Sequence, residues 1–176
     1  MRAEHPWIDE LHSASLALQS VLGAVLEAER RFEPPTPPLQ RLHEITTNPQ
    51  WAWLQPLYRL IADIDHALAG ADDLPAAEAA AIGAHACELI SGTTQRKSRD
   101  VAAQNSAASP EQAFAAHYRA LLQADPGVAI AHAGAVKALR VLPAEPADEA
   151  EKQHARQQWN ERRRYLRTSQ EGQRAS

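Results

Sequence analysis

The sequence predicts an all-α fold, a helical bundle of four to six helices with proline-capped connections. Three observations predict it. Apolar residues recur at steps of three and four along successive stretches of the 176-residue chain, the period of one helix face. No stretch alternates cleanly at period two, so no strand is expected. The twelve prolines punctuate these stripes instead of interrupting them, as befits a residue without the N–H that a helix interior needs.

The first stripe runs through Ile8, Leu11, Ser15, Leu18, Leu22 and Val25, widened by Leu16, Val21, Leu26 and Phe32. Asp9 and Glu10 stand near its start and Arg30 and Arg31 near its end, the signs that suit a helix dipole. A helix over about 6–32 follows. Pro34, Pro35, Pro37 and Pro38 stop it and form a stiff extended connector. Leu39, Leu42 and Ile45 suggest a short helix. Asn48-Pro49 reads as a cap with proline at the first helical position, and Trp51 and Trp53 fall in that turn.

Pro56 opens a longer helix with Leu57, Leu60, Ile61, Ile64 and Leu68 on its apolar face and Gly70 at its end. Asp73 and Pro75 open an alanine-rich third stretch carrying Ile82, Leu89 and Ile90, closed by Ser91-Gly92. Residues 92–109 hold almost nothing to bury, and the expectation there is a mobile loop. Ser109-Pro110-Glu111-Gln112 has the pattern of a capping box, ahead of a face built from Phe114, Tyr118, Leu121 and Leu122. Asp125-Pro126-Gly127 breaks that helix and caps the next, whose stripe is Val128, Ala131, Ala135, Leu139 and Leu142. Pro143 and Pro146 end the packed part.

Residues 1–146 are thus expected to form a single bundle, and 147–176 a charged, partly helical or disordered tail. The tail holds seven basic and five acidic residues, net +2, against −6 for the remainder of a chain of net charge −4. Its large apolar residues are Trp159, Tyr165 and Leu166.

Composition narrows the function classes. With 44% apolar and 23% charged residues, the chain is neither a fibre nor a disulfide scaffold. A single cysteine, Cys87, suits a reducing compartment, and it reads as a small core residue. No stretch approaches the roughly 20 apolar residues that span a bilayer, and the start lacks a secretory pattern. The expected location is cytoplasmic, with no membrane partner. The pI near 6.1 gives no reason to expect nucleic acid as the main partner.

Two segments carry a resemblance: Trp51-Ala-Trp-Leu-Gln-Pro-Leu-Tyr-Arg-Leu-Ile-Ala-Asp-Ile-Asp65, and His117 through His132 with its Asp125-Pro126-Gly127-Val128 break. Across residues 7–142 the chain resembles a family of small all-helical bacterial proteins without an established activity. The resemblance implies a helical fold and a bacterial origin, and it transfers no catalytic residue.

Candidate chemistry is sparse. Bundles build metal sites from acid-x-x-His pairs projecting from one helix face, and Asp9/His12 and Asp63/His66 have that spacing. His43, His85, Glu88 and His132 lie elsewhere. Asp63 and Asp65 flank the core position Ile64, however, so both are expected to point outward or sideways, and neither metal nor other cofactor is expected. Trp51 and Trp53 diverge by about 200° on a helical turn, so one ring should stay partly exposed and available to a partner. His85 and Cys87 face different ways, and no Gly-x-Ser-x-Gly or phosphate-cradling loop occurs among only seven glycines. Arg162-Arg163-Arg164 beside Trp159 and Tyr165 has the elements of a nucleic-acid contact, but with acids interspersed it reads as a solvated tail, as does Arg96-Lys97-Ser98-Arg99.

The functional expectation is a non-catalytic bundle that binds protein, through self-association or another chain, with Trp51, Trp53, Asp65 and His66 as the candidate binding residues. The alternative is a metal- or small-ligand-binding bundle using His12, Asp63 and His66. A nucleic-acid accessory role through the tail ranks third.

Overall fold

The computed structural model describes residues 6–30, 49–70, 74–92 and 109–174. Among these residues it is all helical: six α-helices, a short 3-10 turn and no strand. The proline-rich connector, the short helix expected near 39–45, His43, and the interior of the 92–109 loop with Arg96–Arg99 lie outside the described residues.

Helix α1 spans Pro6–Glu29; the expected end near 32 lies outside the described residues. Leu11, Leu18, Val21 and Val25 are fully buried along it, each contributing about 1.5–3 kcal/mol of apolar burial. By length and composition α1 is apolar enough to cross a membrane, which corrects the expectation that no stretch approaches that limit. Here its apolar stripe covers the core.

The 3-10 turn Pro49–Leu54 leads into α2, Gln55–Ala69. Pro56 sits in the first turn of α2, where its missing donor costs no intrahelical bond. Leu57, Leu60 and Ile64 fill the core from this helix. Helix α3, Ala76–Ser91, ends at Gly92 in the left-handed region, φ 69°. A side chain there would be strained, and its Cβ would come within 2.9 Å of Arg119.

Helix α4, Pro110–Ala124, starts with the capping box that the sequence predicts. Ser109 Oγ accepts from the Gln112 amide at 3.3 Å, and Gln112 Oε1 accepts from the Ser109 amide at 3.0 Å. Helix α5, Pro126–Leu139, is capped by Asp125, whose Oδ1 accepts from the Gly127 and Val128 amides at 2.8 and 3.1 Å. Helix α6 is the longest, Glu149–Arg174.

The core joins α1 through α5 around Leu18, Leu57, Ile64, Ile82, Phe114 and Val128. Helix α1 packs most extensively on α5 and next on α2, while α6 lies along α3 and reaches α2. Ala17, Ala24 and Ala28 on α1 and Ala131 and Ala138 on α5 are partly buried against the core, and such small side chains let helix axes approach closely.

The tail is helical, one of the two expected states, but it is not a solvent-facing appendage: α6 buries Ala155 and Trp159 in the same core cluster as the other helices.

Candidate functional site

Four regions carry the polar and aromatic chemistry. In the 3-10 turn, Trp51 is buried while Trp53 is only partly so, the divergence that their i, i+2 spacing predicts. Arg30 lies over the Trp51 ring, 5.5 Å from its centroid. Trp53 stacks on His117 at 4.1 Å between centroids and on Phe114 at 6.1 Å. Phe114 stacks on Tyr118, whose hydroxyl lies 3.0 Å from His132 Nδ1. At the exposed end, His117 Nε2 is 2.8 Å from Glu29 Oε1.

This aromatic column ties α4 to α1, α5 and the turn. Burial raises the Tyr118 phenol well above its ordinary value and lowers His132, because each charged form would lose hydration. Tyr118 therefore stays a neutral phenol and His132 favours the neutral ring.

Asp65 and His66 are exposed on α2. Asp65 Oδ1 accepts from the buried Ser15 hydroxyl at 2.5 Å and Oδ2 from Gln19 at 3.3 Å. His66 Nδ1 lies 2.8 Å from its own helix carbonyl at Ala62. The Asp65 contacts fasten α2 to α1; neither residue is brought together with the tryptophans.

Asp63, expected to point outward or sideways, lies to the side of the stripe but is buried, and accepts from Arg163 Nε at 2.8 Å. The residue lies one position from Ile64 on the α2 wheel, at the flank of the stripe, and a solvent-facing flank becomes interior when another helix covers it. Helix α6 supplies that cover. Beside it, the buried Glu78 of α3 receives Arg162 through Nε at 2.6 Å and Nη2 at 3.1 Å, the fork geometry that suits guanidinium and carboxylate. Trp159 Nε1 donates to His85 Nδ1 at 3.1 Å, and the Arg163 guanidinium lies 5.6 Å from the Trp159 centroid. Arg156 bridges Glu88 at 3.1 Å and Glu145 at 2.6 Å, and its bond to Glu145 holds it firmly protonated.

The basic cluster of the tail is thus engaged internally at Arg162 and Arg163. Asp63, offered by sequence as a metal ligand beside His66, faces a guanidinium instead. Among the described residues no group of three or more His, Cys, Asp or Glu side chains is placed to hold a metal. Cys87 is half-buried, its thiol pushed up by burial, which lowers its thiolate content and hence its nucleophilicity.

The fourth region is an outer face. On α1, Asp9, Leu16, Ser20, Gly23 and Glu27 are exposed, and on α5 and the turn after it Ile130, Gly134, Lys137, Arg140 and Val141 are exposed. Leu16, Ile130 and Val141 leave 52%, 74% and 61% of their surface open. A Cβ added at Gly23 or Gly134 would meet nothing within 4 Å. Helices α1 and α5 are neighbours, and on each this stripe lies opposite its own buried one.

Compared with known protein families, curated proteins and solved structures, the chain matches none. The resemblance over residues 7–142 accordingly brings no residue role to any of these four regions.

Sequence reasoning missed Glu78 and His85 as partners of the tail. The available signal was the spacing of Ala155, Trp159, Arg162 and Arg163 at helical steps of four, three and one, a narrow amphipathic stripe inside a charged segment.

Proposed function

We propose that this chain is a non-catalytic cytoplasmic helical bundle that works by binding protein, its partner being a second copy of itself. The observation that carries the reading is the outer face of α1 and α5, where Leu16, Ile130 and Val141 stand open beside two glycines. Isolated exposed apolar residues are ordinary, but several along one two-helix face mark an interaction surface.

Charge supports a second copy as occupant. The α1 stripe carries the acids Asp9 and Glu27, and the α5 stripe and its following turn carry Lys137 and Arg140. A two-fold arrangement sets α1 of each copy over α5 of the other and matches opposite signs at every crossing. Gly23 and Gly134 permit close approach of the backbones. A helix of 24 residues is about 36 Å long, so a face two helices wide is on the order of the 800 Å² per partner that a specific interface buries.

The test is sedimentation across micromolar concentrations. A monomer–dimer equilibrium is expected, and Leu16→Glu or Ile130→Glu should shift it to monomer with unchanged helicity. A wild-type chain that stays monomeric at hundreds of micromolar, or a dimer indifferent to both substitutions, overturns the reading.

A further inference from the structure

We propose that α6 is an exchangeable helix: the groove between α2 and α3 accepts either the chain's own α6 or the α6 of a second copy, so that two chains pair by trading this element. This inference uses none of the α1/α5 contacts and goes beyond the outer-face reading.

The groove is built for one kind of occupant. Its floor presents two buried carboxylates, Glu78 and Asp63, and the ring nitrogen of His85. Covered by a helix without an arginine opposite each acid, both carboxylates would be desolvated and uncompensated, a state that costs several kcal/mol per ion. A helix presenting Ala, Trp and two Arg at the spacing of residues 155, 159, 162 and 163 answers every one of these groups. Among the described helices α6 does so, and any copy's α6 does it equally well.

Helix α6 is also separable by construction. Its contacts fall on one side of the body, on α3 and on α2, and along Glu149–Tyr165 only Ala155 and Trp159 are buried. An open groove of about 420 Å³ beside Pro75, Glu78, Arg162 and Tyr165 brings solvent up to the edge of the seam. The connection turns in a definite place. Leu142 is buried where α3 has Gly83, and a Cβ on that glycine would meet Leu142 at 2.9 Å, so the chain is anchored up to residue 142. Glu145, by contrast, is bonded to Arg156 within the tail at 2.6 and 2.9 Å and so travels with α6. The hinge is therefore Pro143–Ala144. Proline favours an extended course there, and a short stiff hinge is the arrangement that invites swapping between identical protomers.

The test is charge complementation between full-length chains, all carrying Ile130→Glu to remove association through the outer face. Glu78→Lys disables the groove but leaves a normal α6. Arg162→Glu disables α6 but leaves a normal groove. Each variant alone should be monomeric, with amides of residues 150–165 exchanging at least about tenfold faster than in the parent chain. Their equimolar mixture should form a heterodimer in which α6 of the first chain regains parental protection in the groove of the second. The cis double variant should recover protection as a monomer. A mixture that stays monomeric with fast-exchanging α6 overturns the proposal. So does loss of helicity throughout both single variants, which would make α6 inseparable from the body.

Discussion

The α1–α5 contact and the α3–α6 contact each join two helices, by opposite means. Between α1 and α5 the packing rests on alanine, leucine and valine, with Leu18, Val21 and Val128 fully buried. Between α3 and α6 it rests on one large ring, Trp159, flanked by Arg162–Glu78 and Arg163–Asp63. The first kind of contact tolerates rearrangement, because apolar surfaces of similar volume substitute for one another. The second does not, since a buried carboxylate accepts only a cation in the right place. The difference teaches that the apolar pair holds the body together while the charged pair selects one partner helix.

The strongest way to sharpen this contrast is to truncate one large side chain on each side. Trp159→Ala should cost about 3–5 kcal/mol and Leu18→Ala about 2–5 kcal/mol in denaturant unfolding. The consequences differ in extent. Amide exchange should show the Trp159 variant opening chiefly along α6, and the Leu18 variant weakening α1, α2 and α5 together; a Trp159 variant that loosens all helices alike breaks the distinction.

Removing a cation comes next. Arg162→Ala leaves Glu78 in the groove without its partner. Because the Arg162 side chain is itself partly exposed, the cost should fall short of a fully buried pair, about 2 kcal/mol. The double variant Arg162→Met with Glu78→Leu should recover most of that loss. Thermal melts of the single and double variants measure the coupling.

A smaller effect is expected at the outer face. Gly23→Ala and Gly134→Ala place a methyl group in open space on a helix, so each should stabilise the monomer by about 1 kcal/mol through helix propensity. The same substitutions should weaken dimerisation in sedimentation if the glycines let two backbones approach. Unchanged self-association would remove the glycines from that contact.

The smallest effect concerns pH. His132 titrates below its ordinary value because burial disfavours the imidazolium. The unfolded chain therefore takes up the proton first. Its contribution to stability is complete above about pH 6.5, the unfolded value, and is lost as pH falls from there toward the depressed folded value. His132→Phe should flatten that part of the stability profile, read by chemical denaturation between pH 7.5 and 5.

Much of the fold was legible without coordinates. Pro56 in a first turn, Gly70 and Gly92 at helix ends, the Ser109–Gln112 box and the Asp125 cap all follow from backbone chemistry acting over four residues or fewer. The stripe of α1 was legible for a related reason: apolar side chains at the helical period have one favourable place to go. The split between Trp51 and Trp53 followed from the turn angle between them.

The seam under α6 was not legible in that way. Asp63 at the flank of a stripe, Glu78 in an alanine-rich helix and Arg162 within a charged segment each have a sound solvated reading taken singly. Local sequence thus determined which segments are helices, where they stop and which side of each is apolar, because those outcomes depend on neighbours along the chain. Tertiary structure alone decided that a charged segment docks on the core through Ala155 and Trp159, with Arg162 and Arg163 paired to buried acids. The free energy of an ion pair depends on how much water both partners lose, and that is set by residues 84 and 100 positions away.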